Sequence, residues 1–183
     1  MDFKETVFSR KSIRSFLDKP IPQDVLADML EAARLSPSTQ NRQPWRFIII
    51  QNQDRIKQMS VNCGLIGLAN FFVRSAPCII IACADTDKDI KINGQEYYLV
   101  DTAIAFQQMM LMAWNHGIGS CWLGAFSEKK LRNWLDLPKS WRIVALSPFG
   151  YPAEKQSIYA KVVKSVAGSK NRLPVEQIVR YII

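Results

Sequence analysis

Only one histidine, His116, stands among the 183 residues, so no histidine-rich zinc site can form and a serine or cysteine nucleophile has no second imidazole to draw on. His116 precedes Gly117 at the expected end of a helix, where favourable interaction with the dipole is sufficient work for it. The four cysteines, Cys63, Cys78, Cys83 and Cys121, contain no C-x-x-C pair and read as reduced, buried small hydrophobes. On one strand, Cys78 and Cys83 fall on opposite faces. No Gly-Lys-Ser/Thr run marks a P-loop, and no G-x-S-x-G elbow is present. Gly117-Ile118-Gly119-Ser120-Cys121-Trp122 starts like a dinucleotide fingerprint, but Trp122 replaces the third glycine and the segment leaves a helix to enter a strand, the reverse of the required order. No stretch of about 18 apolar residues could span a bilayer. The start, Met1-Asp2-Phe3-Lys4-Glu5, lacks a secretory layout, and a cytoplasmic setting with no membrane partner is expected. What chemistry occurs is expected to come from a bound cofactor, without a metal.

What the chain has is charge of one sign: 24 Lys and Arg against 16 Asp and Glu, a net +8. These cations are scattered without an aromatic-flanked stripe, which argues for a solvated basic surface and against nucleic acid. Length and an apolar share of 48% fit one domain over residues 1–183.

The spacing predicts a helix from Phe3 to Ser9 capped by Asp2 with Glu5 in capping-box position, then a helix reaching Leu35 with Val25, Leu26, Met29, Leu30 and Ala33 on one face. Arg46 to Gln51 and Pro77 to Ala84 read as strands, with a helix over Asp54 to Val61 between them. The longest helix is expected from Gln95 to His116, with Leu99, Ala103, Phe106, Met110, Ala113 and Trp114 as its apolar repeat. Gly119 to Gly124 reads as a strand, Ser127 as the cap of a helix through Leu135, and Arg142 to Ser147 as a strand ending at Pro148-Phe149-Gly150. Strands interleaved with helices fit a sheet covered by helices, α/β or α+β, with the strand order left open. Residues 153–183 differ: a polar, irregular stretch ends in the apolar Val179-Arg180-Tyr181-Ile182-Ile183, which needs a surface to dock on.

Three segments carry candidate chemistry. In Arg10-Lys11-Ser12-Ile13-Arg14, an extended backbone turns Arg10, Ser12 and Arg14 to one side, a better match for a phosphate than a helix face. Taken alone, the cluster reads better as a basic helix end, and the alternation is what changes the weighing. Lys170 and Arg172 repeat the two-residue spacing. Between these lies Ser36-Pro37-Ser38-Thr39-Gln40-Asn41-Arg42-Gln43-Pro44-Trp45, whose hydroxyls and amides exceed what a plain connector needs. An aromatic heterocycle with ring nitrogens and carbonyls would use them.

These segments, with Arg10 through Phe16, Ser36 through Phe47, Asp101 through Gly124, Gly150-Tyr151-Pro152 and Arg172 through Val179 falling in order, resemble the FMN-dependent nitroreductase family. The resemblance implies an α+β fold with a central, mostly antiparallel sheet flanked by helices, and a homodimer with FMN at the interface and the carboxy-terminal segment reaching across the partner. It implies that Arg10, Ser12, Lys170 and Arg172 hold the phosphate with help from Lys11. Arg14 would stabilise charge on the reduced flavin. Thr39, Asn41 and Gln43 would line the ring and ribityl chain, with Pro37 and Ser38 from the partner chain or its own. Pro148, Phe149 and Gly150 would pack on the other flavin face. NADH or NADPH would deliver a hydride, and an electron-poor acceptor such as a nitroaromatic or quinone would then take two electrons, ping-pong, with no compulsory side-chain catalyst. A flavin carrier without turnover, or a dehalogenating or flavin-fragmenting relative, is the alternative. Only about ten residues, Thr86 to Gln95, are left for a substrate lid, and Phe71, Phe72, Tyr97 and Tyr98 are the candidate acceptor-side aromatics.

Overall fold

A computed structural model describes residues 1–62, 68–153 and 172–182, with the side chains of residue 62 and residues 68–71 excepted. Four strands form one antiparallel sheet in the order β1-β2-β6-β5: β1 is Trp45–Ile50, β2 Cys78–Asp85, β5 Gly119–Ser120 and β6 Trp141–Gly150. A two-stranded hairpin, β3 (Lys91–Ile92) and β4 (Gln95–Glu96), stands apart from it. Helices α1 (Phe3–Ser9), α2 (Gln23–Arg34), α3 (Gln53–Asn62), α4 (Tyr97–Asn115) and α5 (Glu128–Leu135) surround the sheet, and a single turn, α6 (Val175–Ile178), lies in the tail.

Period-two alternation gives the central strand β2 two apolar faces. Ile79, Ile81 and Cys83 face a core with Ile56, Met59 and Leu131 from α3 and α5, while Cys78, Ile80 and Ala82 face Leu26, Met29, Phe106 and Met109 from α2 and α4. Cys78 and Cys83 thus lie on opposite faces, as their spacing requires. Burial pushes both thiols up to about 12.

The local signals hold well. The Glu5 amide donates to the Asp2 carboxylate at 2.7 Å to cap α1, and the Lys130 amide donates to the Ser127 hydroxyl to cap α5. Three boundaries move by more than one residue. Strand β6 continues through Pro148, Phe149 and Gly150, which β2 and β5 pair; only Gly119–Ser120 of the expected 119–124 strand pairs regularly; and Gln95 belongs to the hairpin. On α4 the buried side is Tyr98, Asp101, Thr102, Ala105, Phe106, Met109, Met110 and Ala113. Leu99 and Ala103 from the expected stripe turn outward, because α4 carries a second apolar face away from the sheet. Val100, Ile104 and Leu111 on that face line an open groove of about 1170 Å³ with Phe3, Leu35 and Met112. Among the described residues, no helix is long and apolar enough to cross a membrane.

Candidate cofactor site

After α1 the chain extends along β5. The Ile13 amide donates to the Ser120 carbonyl at 2.9 Å, and Ser12 bridges Ser120 in parallel. Gly119 makes this approach possible: a Cβ there would lie 2.5 Å from Ile13 Cγ1, so any side chain would push the segment off. Ile13 is buried, and its neighbours Ser12 and Arg14 therefore face the other way. Their convergence is registered at one atom. Burial raises the Cys121 thiol above its ordinary range, while Arg14, the Ser12 hydroxyl and Arg10 pull it back down. Arg10, Ser12 and Arg14 thus all act on the electrostatics of a single buried thiol, and Lys11 is exposed. Among the described residues, none of the ion pairs involves Arg10, Lys11 or Arg14. A cluster of cations without a carboxylate is suited to an anion. Lys170 lies outside the described residues, and Arg172 begins the exposed tail.

The loop after α2 is held differently. Ser36 donates its hydroxyl to Gln108 Oε1 at 3.1 Å, and Thr39 donates both its amide and its hydroxyl to the Asp101 carboxylate at 3.0–3.1 Å. The Gln43 amide donates to the Ser38 hydroxyl, and its side chain donates to the Asn41 backbone and side-chain oxygens. Gln40, Asn41 and Gln43 have φ of 51°, 55° and 49°, three left-handed residues within four positions. That conformation is costly for residues other than glycine and is concentrated at binding sites. The Thr39 hydroxyl hydrogen is committed to Asp101, so Thr39 secures the loop instead of donating to a ligand.

One chain does not bring the two segments together. Trp45, at the loop's exit, pairs with Ala84, which pairs with Arg142; at the far end Cys78 pairs with Phe149, which pairs with Ser120 beside Ser12. Six residues along the strands and three strand spacings across separate these corners, roughly 20 Å by 14 Å. Pro37, Ser38, Thr39, Asn41 and Gln43 therefore lie at the opposite corner of the sheet from Arg10, Ser12 and Arg14 of their own chain.

Other assignments need correction. Pro148, Phe149 and Gly150 are buried: the Phe149 ring lies 6.1 Å from Phe106, and a Cβ on Gly150 would lie 2.6 Å from Pro77. Their surfaces are spent inside the protein, leaving nothing for a flavin face. Phe72 and Tyr98 are likewise buried, and the Phe71 side chain is outside the described residues, leaving Tyr97 half-buried. After β5, Trp122 and Gly124 are exposed while Leu123 between them is buried. Trp122 is 38% exposed with its ring 5.2 Å from Phe106, and Gly124 would have open space around a Cβ. In the sequence this stretch carries the resemblance without a role of its own, and its Gly-x-x-x-x-Gly frame is the available signal.

Comparison with known proteins now decides the family. The model of the nitroreductase family matches residues 7–63 and 66–151. The chain belongs to this family. A nitroreductase family protein from Clostridium novyi NT has a solved structure 34% identical, covering 84% of this chain and 87% of that one with a TM-score of 0.79. An FMN-dependent nitroreductase from Clostridium difficile R20291 is 27% identical over 84% of this chain and 90% of its own, with a TM-score of 0.71. The FMN reductase [NAD(P)H] of Bacillus subtilis is 28% identical over 84% of this chain and 67% of its own. The fold is the α+β fold of the nitroreductases, and the tail after Tyr151 lies beyond the matched region.

Proposed function

We propose that this nitroreductase-family chain is an FMN-dependent NAD(P)H oxidoreductase, working as a homodimer in which each FMN is held by the cationic corner of one protomer and the amide loop of the other. The observation that carries the reading is the extended Arg10–Arg14 segment lying along β5, its arginines in none of the ion pairs among the described residues, with the amide loop at the opposite corner of the same sheet. Two copies related by a two-fold axis would complete two identical sites. The groove on the outer face of α4 supports the pairing, since it is apolar and of a size that a monomer rarely leaves open. So does the tail, whose Leu173, Val175, Ile178, Tyr181 and Ile182 are all exposed, the last at 93%.

In this arrangement Arg10 and Ser12, with Lys11, Lys170 and Arg172, bind the phosphate, and each charge-assisted contact contributes about 1.5–3 kcal/mol. FMN, when bound, would supply hydride and electron transfer between NADH or NADPH and an acceptor such as a nitroaromatic or quinone. Arg14 offsets negative charge in the ring's vicinity, and does so more strongly in a water-poor site. Exposed Trp122 and Gly124 are available to the ring, and Asn41 and Gln43 present amide donors and acceptors. No side-chain base is required, in keeping with the single histidine, which is engaged with Asp28 at 3.0 Å. The free, buried Cys78, Cys83 and Cys121 favour a reducing, cytoplasmic setting.

The test is purification and anaerobic reduction. The protein is expected to be yellow with about one FMN per subunit, and NADH or NADPH should bleach the flavin within the mixing experiment. Colourless protein that refuses FMN refutes the reading; flavin that stays oxidised with both nucleotides identifies a carrier.

A further inference from the structure

A buried acid outside the expected site organises the amide loop. Asp101 is 4% exposed, and among the described residues no ion pair involves it. Its carboxylate accepts the amide of Thr39 on both oxygens at 3.1 Å and the Thr39 hydroxyl at 3.0 Å. Burying an anion without a cation is a poor choice for stability alone, because an apolar residue of similar volume would fill the space with less desolvation. It suits a different requirement: a carboxylate offers acceptors on both oxygens, so it takes the N–H and O–H of one residue without turning a donor toward either. Seven residues further along α4, two turns on and on the same face, Gln108 takes the Ser36 hydroxyl. The helix therefore grips the loop at its entry and again immediately before the left-handed residues Gln40, Asn41 and Gln43.

We infer that Asp101 is a positioning residue: by fixing Thr39 from inside α4, it holds residues 40–43 in the strained form that presents Asn41 and Gln43 to the FMN of the partner protomer. This rests on the FMN reading above. Asp101 contacts no ligand itself. Its effect is transmitted through Thr39, which explains why a hydroxyl residue stands where the loop turns.

The experiment uses the full-length chain stripped of flavin, titrated with FMN by fluorescence quenching, for the wild type, Asp101→Asn and Thr39→Val. Asp101→Asn keeps the volume but turns an amide donor toward Thr39; it should weaken FMN binding at least tenfold and change the visible circular dichroism of the bound flavin. Thr39→Val, which loses only the hydroxyl, should weaken binding about fivefold, and the double variant should be no worse than Asp101→Asn. A merely structural acid would lower the melting temperature and leave the dichroism of bound flavin unchanged. FMN binding within twofold of wild type in Asp101→Asn overturns the proposal, and so does unchanged binding in Thr39→Val should Asp101→Asn fail to fold. A wild type that takes up no FMN sinks the functional reading first. Amide exchange of residues 40–43 then still decides the clamp: it should be at least tenfold faster in Asp101→Asn, and equal rates overturn it.

Discussion

The cationic corner and the amide corner are built on opposite principles. At the first, close backbone packing does the work: Gly119 admits Ile13, Ile13 anchors a short extended segment, and Arg10, Ser12 and Arg14 are left beside Cys121 without carboxylates. At the second, hydrogen bonds do the work, and Thr39, Ser38, Gln43 and Asn41 satisfy one another or Asp101 within the chain. One corner is electrostatically incomplete and the other is conformationally strained. A ligand with an anionic end and a polar ring would complete the first and exploit the second, provided that a second copy brings them face to face.

The largest expected effect breaks the cationic side. Replacing Lys170 and Arg172 with alanine removes two charge-assisted phosphate contacts of about 1.5–3 kcal/mol each, so FMN affinity should fall by roughly two to four orders of magnitude. Far-ultraviolet dichroism should be unchanged, since Arg172 lies in the exposed tail. Flavin retention equal to wild type would show that the tail does not serve the phosphate. Removing Pro174 to Ile183 tests the pairing of corners instead: exposed Val175, Ile178, Tyr181 and Ile182 lose their partner surface, and the dimer should weaken about a hundredfold. Sedimentation as an equally tight dimer would show that the tail does not hold the pair together.

A smaller effect separates packing from charge. Gly119→Val forces a side chain against Ile13, and overpacking of this kind costs about 1–3 kcal/mol. FMN affinity should fall about tenfold or more even though every cation is retained, because Arg10 to Arg14 is displaced as a unit. Normal affinity with a lowered melting temperature would mean that the cations find their places without the β5 contact.

The two corners also differ in how far the sequence revealed them. Alternation alone put Arg10, Ser12 and Arg14 on one side, and the caps at Asp2 and Ser127 were explicit in local chemistry. Equally, the odd separation of Cys78 and Cys83 put them on different faces of β2. What was hidden depends on distant partners. Phe149 read as a site residue because nothing local says that Phe106 will cover it, and Leu99 and Ala103 read as core because an apolar stripe does not say whether its own sheet or another surface will bury it. The left-handed Gln40, Asn41 and Gln43 carry no glycine to announce them; Asp101, sixty residues on, holds them in place. The separation of the corners was likewise illegible, since it follows from a strand order that one sequence does not specify.

The smallest effect asks whether the amide end of the sheet is held by its own ion pairs. Arg142, in the strand row of Trp45 and Ala84, donates to both Glu128 oxygens at 2.7 and 3.0 Å, and the Ile143 amide donates to Glu128 as well. The Arg142 hydrogen bonds hold the Glu128 carboxyl below its ordinary range, against partial desolvation and with help from Ile143. A depressed carboxylate contributes stability that is present above its unfolded value, about 4.3, and is lost as pH falls through the lower folded value. With Arg142 about half exposed, solvent screening limits the pair to under about 1 kcal/mol. Glu128→Gln should therefore melt slightly below wild type at pH 7, and the gap should close on acidification to about pH 3. A gap that persists at low pH would assign the stability to packing around α5, leaving the hydrogen-bonded loop and Asp101 as what organises that corner.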